Sequence, residues 1–284
     1  MKLSNPKIVC IYFILFFLGF SKNLFAQTYS DNASSYGGSW ANNSNNSTPS
    51  GGFGQWTIAP GASSGTFVGN PADVGIGTSG IGTSSFGMYA TGSAYCSANR
   101  PITNGMQVGD VLTFYWAINY DAGAGSKGFD LKNGSTTLFN VNNTGSATIT
   151  TTNGTAFTSY GTTPMLVTVT RTSLNSYSFV MTARNGGTAY STTINSSSSI
   201  NVLNFYIGNQ NDGAGQKNMY INGFSLAKPN QYRSKASGNW SVAGTWEIST
   251  DGGTTWANAG AAPGSGLYGT ITIKSGHTVS QNQS

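Results

Sequence analysis

The run VLTFYWAINY, residues 111–120, places Leu112, Phe114, Trp116, Ile118 and Tyr120 at one parity and Thr113, Tyr115, Ala117 and Asn119 at the other. A strand turns successive side chains to opposite faces, so the run reads as a half-buried strand. Similar signals follow at 128–134 (GFDLKNG), 136–141 (TTLFNV), 146–152 (SATITTT), 165–172 (MLVTVTRT), 176–183 (SYSFVMTA), 200–209 (INVLNFYIGN) and 218–226 (NMYINGFSL). Asn133-Gly134, Asn153-Gly154 and Asn185-Gly186-Gly187 stand between them, residues that accept the positive φ of tight hairpins. No window carries a sustained helical period. Many short strands at this spacing predict one antiparallel β-sandwich over 27–228.

At the N-terminus Lys2 and Lys7 precede an unbroken apolar run from Ile8 to Phe20. The run is too short to cross a bilayer as a helix and has the layout of a secretory signal peptide, with cleavage expected after Ala26. The mature protein is then expected outside the cell or on its outer surface, with no transmembrane segment. Cleavage removes Cys10 and leaves Cys96 alone, so no internal disulfide can form. It also removes Lys2, Lys7 and Lys22, leaving ten basic residues against eight acidic ones. Nucleic-acid binding loses its electrostatic support at that balance. With charged residues at 7% and 39 glycines, solubility rests on Ser, Thr, Asn and Gly, a composition that suits an extracellular β protein.

Residues 30–54 are of low complexity and read mostly as loop. Tyr29, Tyr36, Trp40 and Trp56 flank or punctuate this segment. They are expected either to plug an end of the sandwich or, for Trp40 and Trp56 above all, to form an aromatic platform for a ligand.

Composition changes near Lys228-Pro229, where a short polar linker (229–235) leads into a second β unit over 229–284 with no closing strand, expected to be the start of a longer segment. Its motifs are SGNW at 237–240, TW at 245–246, ITI at 271–273 and SGHTV at 275–279. This pattern resembles the opening of a β-solenoid repeat in large secreted adhesins and polysaccharide-active proteins of the Bacteroidetes. The larger unit resembles the concanavalin A-like jelly rolls through GFDLKNG (128–134), LVTVTRTSLNSYSFVMT (166–182) and FYIGNQNDGAGQKNMYINGFSL (205–226). That resemblance implies an antiparallel jelly roll and a role connected with carbohydrate, since the fold hosts lectins, glycan-binding modules and glycosidases.

Two near-copies of one loop stand out, DAGAGSK at 121–127 and NDGAGQK at 211–217. Each follows an aromatic strand end. Asn119, Tyr120, Asp121, Asn209, Asn211 and Asp212 supply the amide, carboxylate and ring that glycan binding uses, and the oxygens also suit Ca²⁺. The alternative is a turn device used twice, with Lys127 and Lys217 in solvent. Catalysis finds less support. Common glycoside hydrolysis needs two carboxyls across one bond, and no acidic strand motif of that kind is present. His277, the sole histidine, reads as a turn residue. The expected function is a non-catalytic module of a larger adhesin that binds a polysaccharide or surface glycan. The alternative is an ancillary module of a polysaccharide-degrading enzyme whose catalytic part lies beyond residue 284.

Overall fold

The structure, a computed structural model, describes residues 25–119, 125–210, 214–264 and 269–281, with side chains from Gln27 onward. The leader-like residues 1–24 lie outside it. Fifteen strands build the larger unit: β1 (Phe25–Asp31), β2 (Thr57–Pro60), β3 (Ser64–Gly69), β4 (Ser85–Ala90), β5 (Tyr95–Pro101), β6 (Val111–Ile118), β7 (Ser126–Asn133), β8 (Thr136–Asn143), β9 (Ile149–Thr151), β10 (Gly154–Phe157), β11 (Met165–Ser173), β12 (Ser176–Met181), β13 (Tyr190–Asn195), β14 (Val202–Gly208) and β15 (Met219–Pro229). One sheet runs β13-β12-β11-β6-β15-β4-β3, with β1 also paired to β15, and the other runs β10-β9-β8-β7-β14-β5-β2. Every pairing in both is antiparallel. The chain is an antiparallel jelly-roll β-sandwich followed by a smaller β unit.

The two strand orders match. The neighbours β6, β15, β4 and β3 of the first sheet are joined in the chain to β7, β14, β5 and β2 of the second, so four chain crossings lie side by side at one end of the sandwich. Between the sheets, alternate residues meet. Leu112, Phe114, Trp116 and Ile118 of β6 are buried with Phe129 and Leu131 of β7 and Phe205 and Ile207 of β14. The outer parity of β6 is less exposed than alternation predicts. The excursion at 70–84 folds back over it, and Ile76 and Ile81 bury Ala117 and Tyr220 in a second apolar cluster.

The segment 30–54 is mostly loop, as expected, but it is an ordered and partly buried one. Its start completes β1, a short 3-10 turn follows at Ala33–Tyr36, and its aromatics enter the core. Trp40 and Trp56 are 3% and 0% exposed, with ring centroids 4.8 Å apart. Trp56 packs on Phe86 of the first sheet and Phe205 of the second, so the segment plugs the gap between the sheets. The platform reading of Trp40 and Trp56 is therefore corrected: aromatics in a glycine-rich stretch found more apolar area to bury between the sheets than at the surface.

A buried ion pair fastens this plug. Arg100 falls at the inward parity of β5, after Cys96 and Ala98, and its guanidinium meets Asp31 at 2.5 Å with both side chains fully buried. Tyr36 donates its hydroxyl to Asp31 Oδ1 at 2.9 Å, and Arg100 donates to Asn45 Oδ1 at 2.9 Å and to the Gly54 carbonyl. The guanidinium also lies 5.3 Å from the Phe53 ring centroid and 5.0 Å from that of Trp56. Burial pushes the Asp31 carboxyl up and the Arg100 guanidinium down, against their mutual attraction. The pair thus holds position at a desolvation cost, and losing one partner would strand the other.

Beyond Pro229 the expected linker is not an exposed loop. Residues 231–234 form a largely buried strand, and Lys228 Nζ reaches Asp110 Oδ2 at 2.7 Å in a second buried pair. In the smaller unit, Tyr232 pairs in parallel with Ile271, and Gly238 with Val279. Ser234 Oγ, fully buried in residue terms, accepts the Lys274 N–H and bonds His277 Nδ1 at 2.8 Å, tying the two parallel segments together.

Arg100→Met is expected to destabilise the fold by about 3–5 kcal/mol in urea unfolding, by leaving Asp31 buried and uncompensated. The double variant Asp31→Asn/Arg100→Met should recover much of that loss. A single-variant loss below about 1 kcal/mol, the value of an exposed pair, would contradict the reading.

Candidate functional site

The outer face of the second sheet carries an organised set of ring and amide groups, with Tyr95 exposed, Tyr206, Asn99, Asp130 and Asn140 half-buried and Asn204 buried. Tyr95 and Tyr206 occupy outward positions on β5 and β14, and in each case the residue directly opposite on the next strand is glycine: Gly208 faces Tyr95 and Gly128 faces Tyr206. A Cβ at Gly208 would lie 2.8 Å from Tyr95 Cδ2, and one at Gly128 would lie 2.8 Å from Tyr206 Cζ. Each ring therefore leans across the neighbouring strand into space that only glycine leaves open. The two rings are 18° from parallel with centroids 6.4 Å apart, and Tyr95 is 49% exposed. Together they form a flat aromatic pavement.

A polar row borders it one pleat along the strands. Thr57, Asn99, Asn204, Asp130 and Asn140 stand in register across β2, β5, β14, β7 and β8. Asn140 Nδ2 donates to both Asp130 Oδ1 and the Tyr206 hydroxyl, each at 2.8 Å. Burial raises the Tyr206 hydroxyl well above its ordinary range, opposed by the Asn140 bond and reinforced by Asp130. Burial likewise raises the Tyr95 hydroxyl, with Asp130 adding to the shift. Both phenols are thus neutral donors and acceptors at physiological pH. Burial also raises Asp130, opposed by the Asn140 hydrogen bond and by Lys132. The arrangement offers ring faces for apolar C–H surface, with amide, carboxylate and hydroxyl groups at the border.

The duplicated loops sit beside this face. Ile118 pairs with Met219 and Ser126 with Gly208, so the strands flanking the two loops are neighbours and both loops cross between sheets at the same end. A Cβ at Gly125 would come within 2.3 Å of the Gly208 carbonyl oxygen, which shows how closely the loop bases approach. Tyr120, Asp121, Asn211 and Asp212 lie outside the described residues. Asn119 is engaged structurally: its Nδ2 donates to the Val74 carbonyl and its Oδ1 accepts from the Tyr160 hydroxyl. Both ends of the Asn119 amide are thus engaged in holding the 70–84 excursion and Tyr160 against the end of β6. Asn209 is a turn residue at φ 54°, with its N–H on the Ala94 carbonyl at 2.8 Å. Lys127 and Lys217 do not point to solvent; they are 2% and 6% exposed. Lys127 shares the inward parity of Phe129 and Leu131.

None of Tyr95, Asn99, Asp130, Asn140, Asn204 and Tyr206 is among the site residues expected from the sequence. The outward parity of Tyr206 and the glycine in GFDLKNG were visible, but their apposition depends on a register between distant strands.

No protein-family model and no curated protein matches the chain. Among solved structures it is similar to a sialidase, with TM-score 0.41, 8% identity, and coverage of 60% of this chain and 16% of that one. It is also similar to the receptor binding domain of botulinum neurotoxin D, with TM-score 0.40, 12% identity and coverage of 66% and 47%. The binding domain of serotype C1 gives TM-score 0.38, 14% identity and coverage of 69% and 49%. The chain therefore spans less than half the length of these structures, and likeness at this level assigns no function. Among the described residues no helix is long and apolar enough to cross a membrane.

Gly128→Ala should cost on the order of 1–3 kcal/mol in urea unfolding, because its Cβ would sit 2.1 Å from the Val141 carbonyl oxygen and the backbone must shift. Wild-type stability would contradict the close packing. Asp130→Asn tests the raised carboxyl. A raised folded pKa favours the fold at low pH, and that contribution fades as pH rises through the folded value. The variant should therefore gain in Tm relative to wild type at pH 7, and the gain should vanish below about pH 4, near the ordinary Asp pKa. A gain constant with pH would contradict it.

Proposed function

We propose that the chain is a secreted, non-catalytic module that binds a polysaccharide or surface glycan on the outer face of its second sheet. The observation that carries this reading is the Tyr95–Tyr206 pavement, held flat over Gly208 and Gly128 and bordered by the Asn99–Asn204–Asp130–Asn140 row. Pyranose rings present apolar C–H faces and an equatorial rim of hydroxyls, and this surface offers aromatic area for the first and fixed polar groups for the second. The sheet supplies both without induced ordering, since Asn140 already holds the Tyr206 hydroxyl and the Asp130 carboxylate.

The non-catalytic part of the reading is supported by what several carboxylates are doing. Asp31 and Asp110 are buried against Arg100 and Lys228, Glu247 is paired with Arg233 and Lys274, and Asp251 accepts from the N–H groups of Thr254 and Thr255 in its own turn. The leader-like run at 8–20 supports export, and an adhesin on the outer cell surface is the setting we favour. Within such a protein, residues 229–281 would begin a β-solenoid. Parallel pairing of 232 with 271 and of 238 with 279 is the stacking that successive coils of a solenoid use. The concanavalin A-like resemblance of 128–134, 166–182 and 205–226 agrees with the same role. An ancillary module of a polysaccharide-degrading enzyme would use the identical surface.

Retention of the protein on insoluble neutral polysaccharides, measured by depletion binding, tests the proposal. Tyr206→Ala and Tyr95→Ala should each weaken retention at least about tenfold, as loss of a central aromatic anchor does, with unfolding curves showing that the variants remain folded. Tyr206→Phe should retain most of the binding. Equal retention of wild type and both alanine variants would contradict the site, and no retention of wild type on any polysaccharide would contradict the function.

A further inference from the structure

Beside the pavement lies a cleft of about 760 Å³, within the range of small-ligand sites, where the β2–β3 and β4–β5 crossings leave the second sheet. It is an open cleft lined by Ala59 at the end of β2, by Gly61 and Ala62 of one crossing and by Gly92, Ser93 and Ala94 of the other, most of them exposed, and Tyr95 borders it toward β14. Tyr95 therefore belongs to both features, on the strand between the cleft and Tyr206.

The cleft is preorganised. Thr91 donates its N–H to the Ser63 carbonyl at 2.9 Å, Gly61 donates to the Tyr95 carbonyl at 2.8 Å, and Ala94 donates to the Thr91 carbonyl at 3.1 Å. Ser64 Oγ, 8% exposed in residue terms, ties the two turns by donating to the Tyr95 carbonyl at 2.9 Å. Ser63 is held at φ 59°, a left-handed conformation that a non-glycine residue keeps only when its surroundings fix it. By contrast, the side-chain hydroxyls of Ser63, Thr91 and Ser93, which also line the cleft, have no hydrogen-bond partner among the described residues. None of the lining residues is charged.

We infer that this cleft receives the terminal unit of a neutral glycan chain whose preceding units lie across Tyr95 and Tyr206, an inference that rests on the pavement being a glycan surface. The lining chemistry selects the unit. Uncharged walls give a carboxylate no cation to pair with, whereas a hydroxyl-rich ring finds three open hydroxyls and an aromatic border. The topology selects the chain end. The two crossings carry the chain from one sheet to the other at this end of the sandwich, so the outer face of the second sheet ends at the cleft.

The test uses the full chain and calorimetric titration with glucan, xylan and mannan hexasaccharides, beside a hexagalacturonate as the charged counterpart. Ala62→Trp fills the cleft from its exposed rim, and Ser63→Gly/Thr91→Ala/Ser93→Ala strips its hydroxyls without adding bulk. Both variants should bind the preferred neutral hexasaccharide at least tenfold more weakly than wild type while keeping retention on the insoluble polymer through the pavement. Shortening that polymer with an endo-acting hydrolase, at constant mass, should raise wild-type capacity and leave that of Ala62→Trp unchanged. If both cleft variants bind hexasaccharide like wild type while Tyr206→Ala does not, the cleft inference is overturned and the pavement stands. Tighter binding of the hexagalacturonate than of any neutral chain overturns it too. If Tyr206→Ala also binds like wild type, the pavement reading fails and takes the cleft with it.

Discussion

Four chain crossings at one end of the sandwich constrain the rest of the molecule. Because β6, β15, β4 and β3 are each joined directly in the chain to β7, β14, β5 and β2, the order of one sheet dictates the order of the other. A slip of one residue in any of these strands would turn its core side chains outward, so the crossings and the buried parity of Phe114, Phe129 and Phe205 fix one register between them. The proposed binding face is a consequence of that register. It sets Tyr95 opposite Gly208 and Tyr206 opposite Gly128, and displacement by one position would put each ring over a side chain.

Charge is used sparingly, and half of the described charged residues are buried. A chain with charged residues at only 7% buries Asp31, Arg100, Asp110, Lys228, Arg171 and Lys127 within or beside its sandwich. Such pairs contribute little net stability and instead penalise every arrangement that separates the partners. Asp31–Arg100 closes the N-terminal plug over the core, and Asp110–Lys228 seats the end of β15 where the smaller unit begins. The outer sheet face, by contrast, keeps mainly amides, hydroxyls and rings, groups that exchange water for sugar hydroxyls at low cost.

The strands were legible because alternation in runs such as VLTFYWAINY follows directly from the geometry of a pleated chain. The plug was not, since residues 33–56 show no period and acquire their shape from Trp40, Trp56 and Asp31 meeting partners far along the chain. The parity that Lys127 shares with Phe129 and Leu131 could be read, yet its charge argued for solvent, where the turn alternative placed it. At the site the duplicated loops drew attention as motifs. They serve in part as two neighbouring crossings, while Tyr95 and Asp130 belong to no motif and gain meaning only from the strands beside them. Local patterns reveal elements; a binding face assembled from five strands requires their register.

The central claim is that glycan lies flat on Tyr95 and Tyr206. Ring-proton NMR of the protein carrying selectively labelled tyrosine, titrated with the best-bound neutral hexasaccharide, tests it most directly. The account predicts upfield-shifted sugar C–H signals and intermolecular NOEs to the Tyr95 and Tyr206 rings, with the buried Tyr36 and Tyr177 resonances unmoved. Shifts confined to other tyrosines, or sugar contacts mapping to the smaller unit, would contradict it.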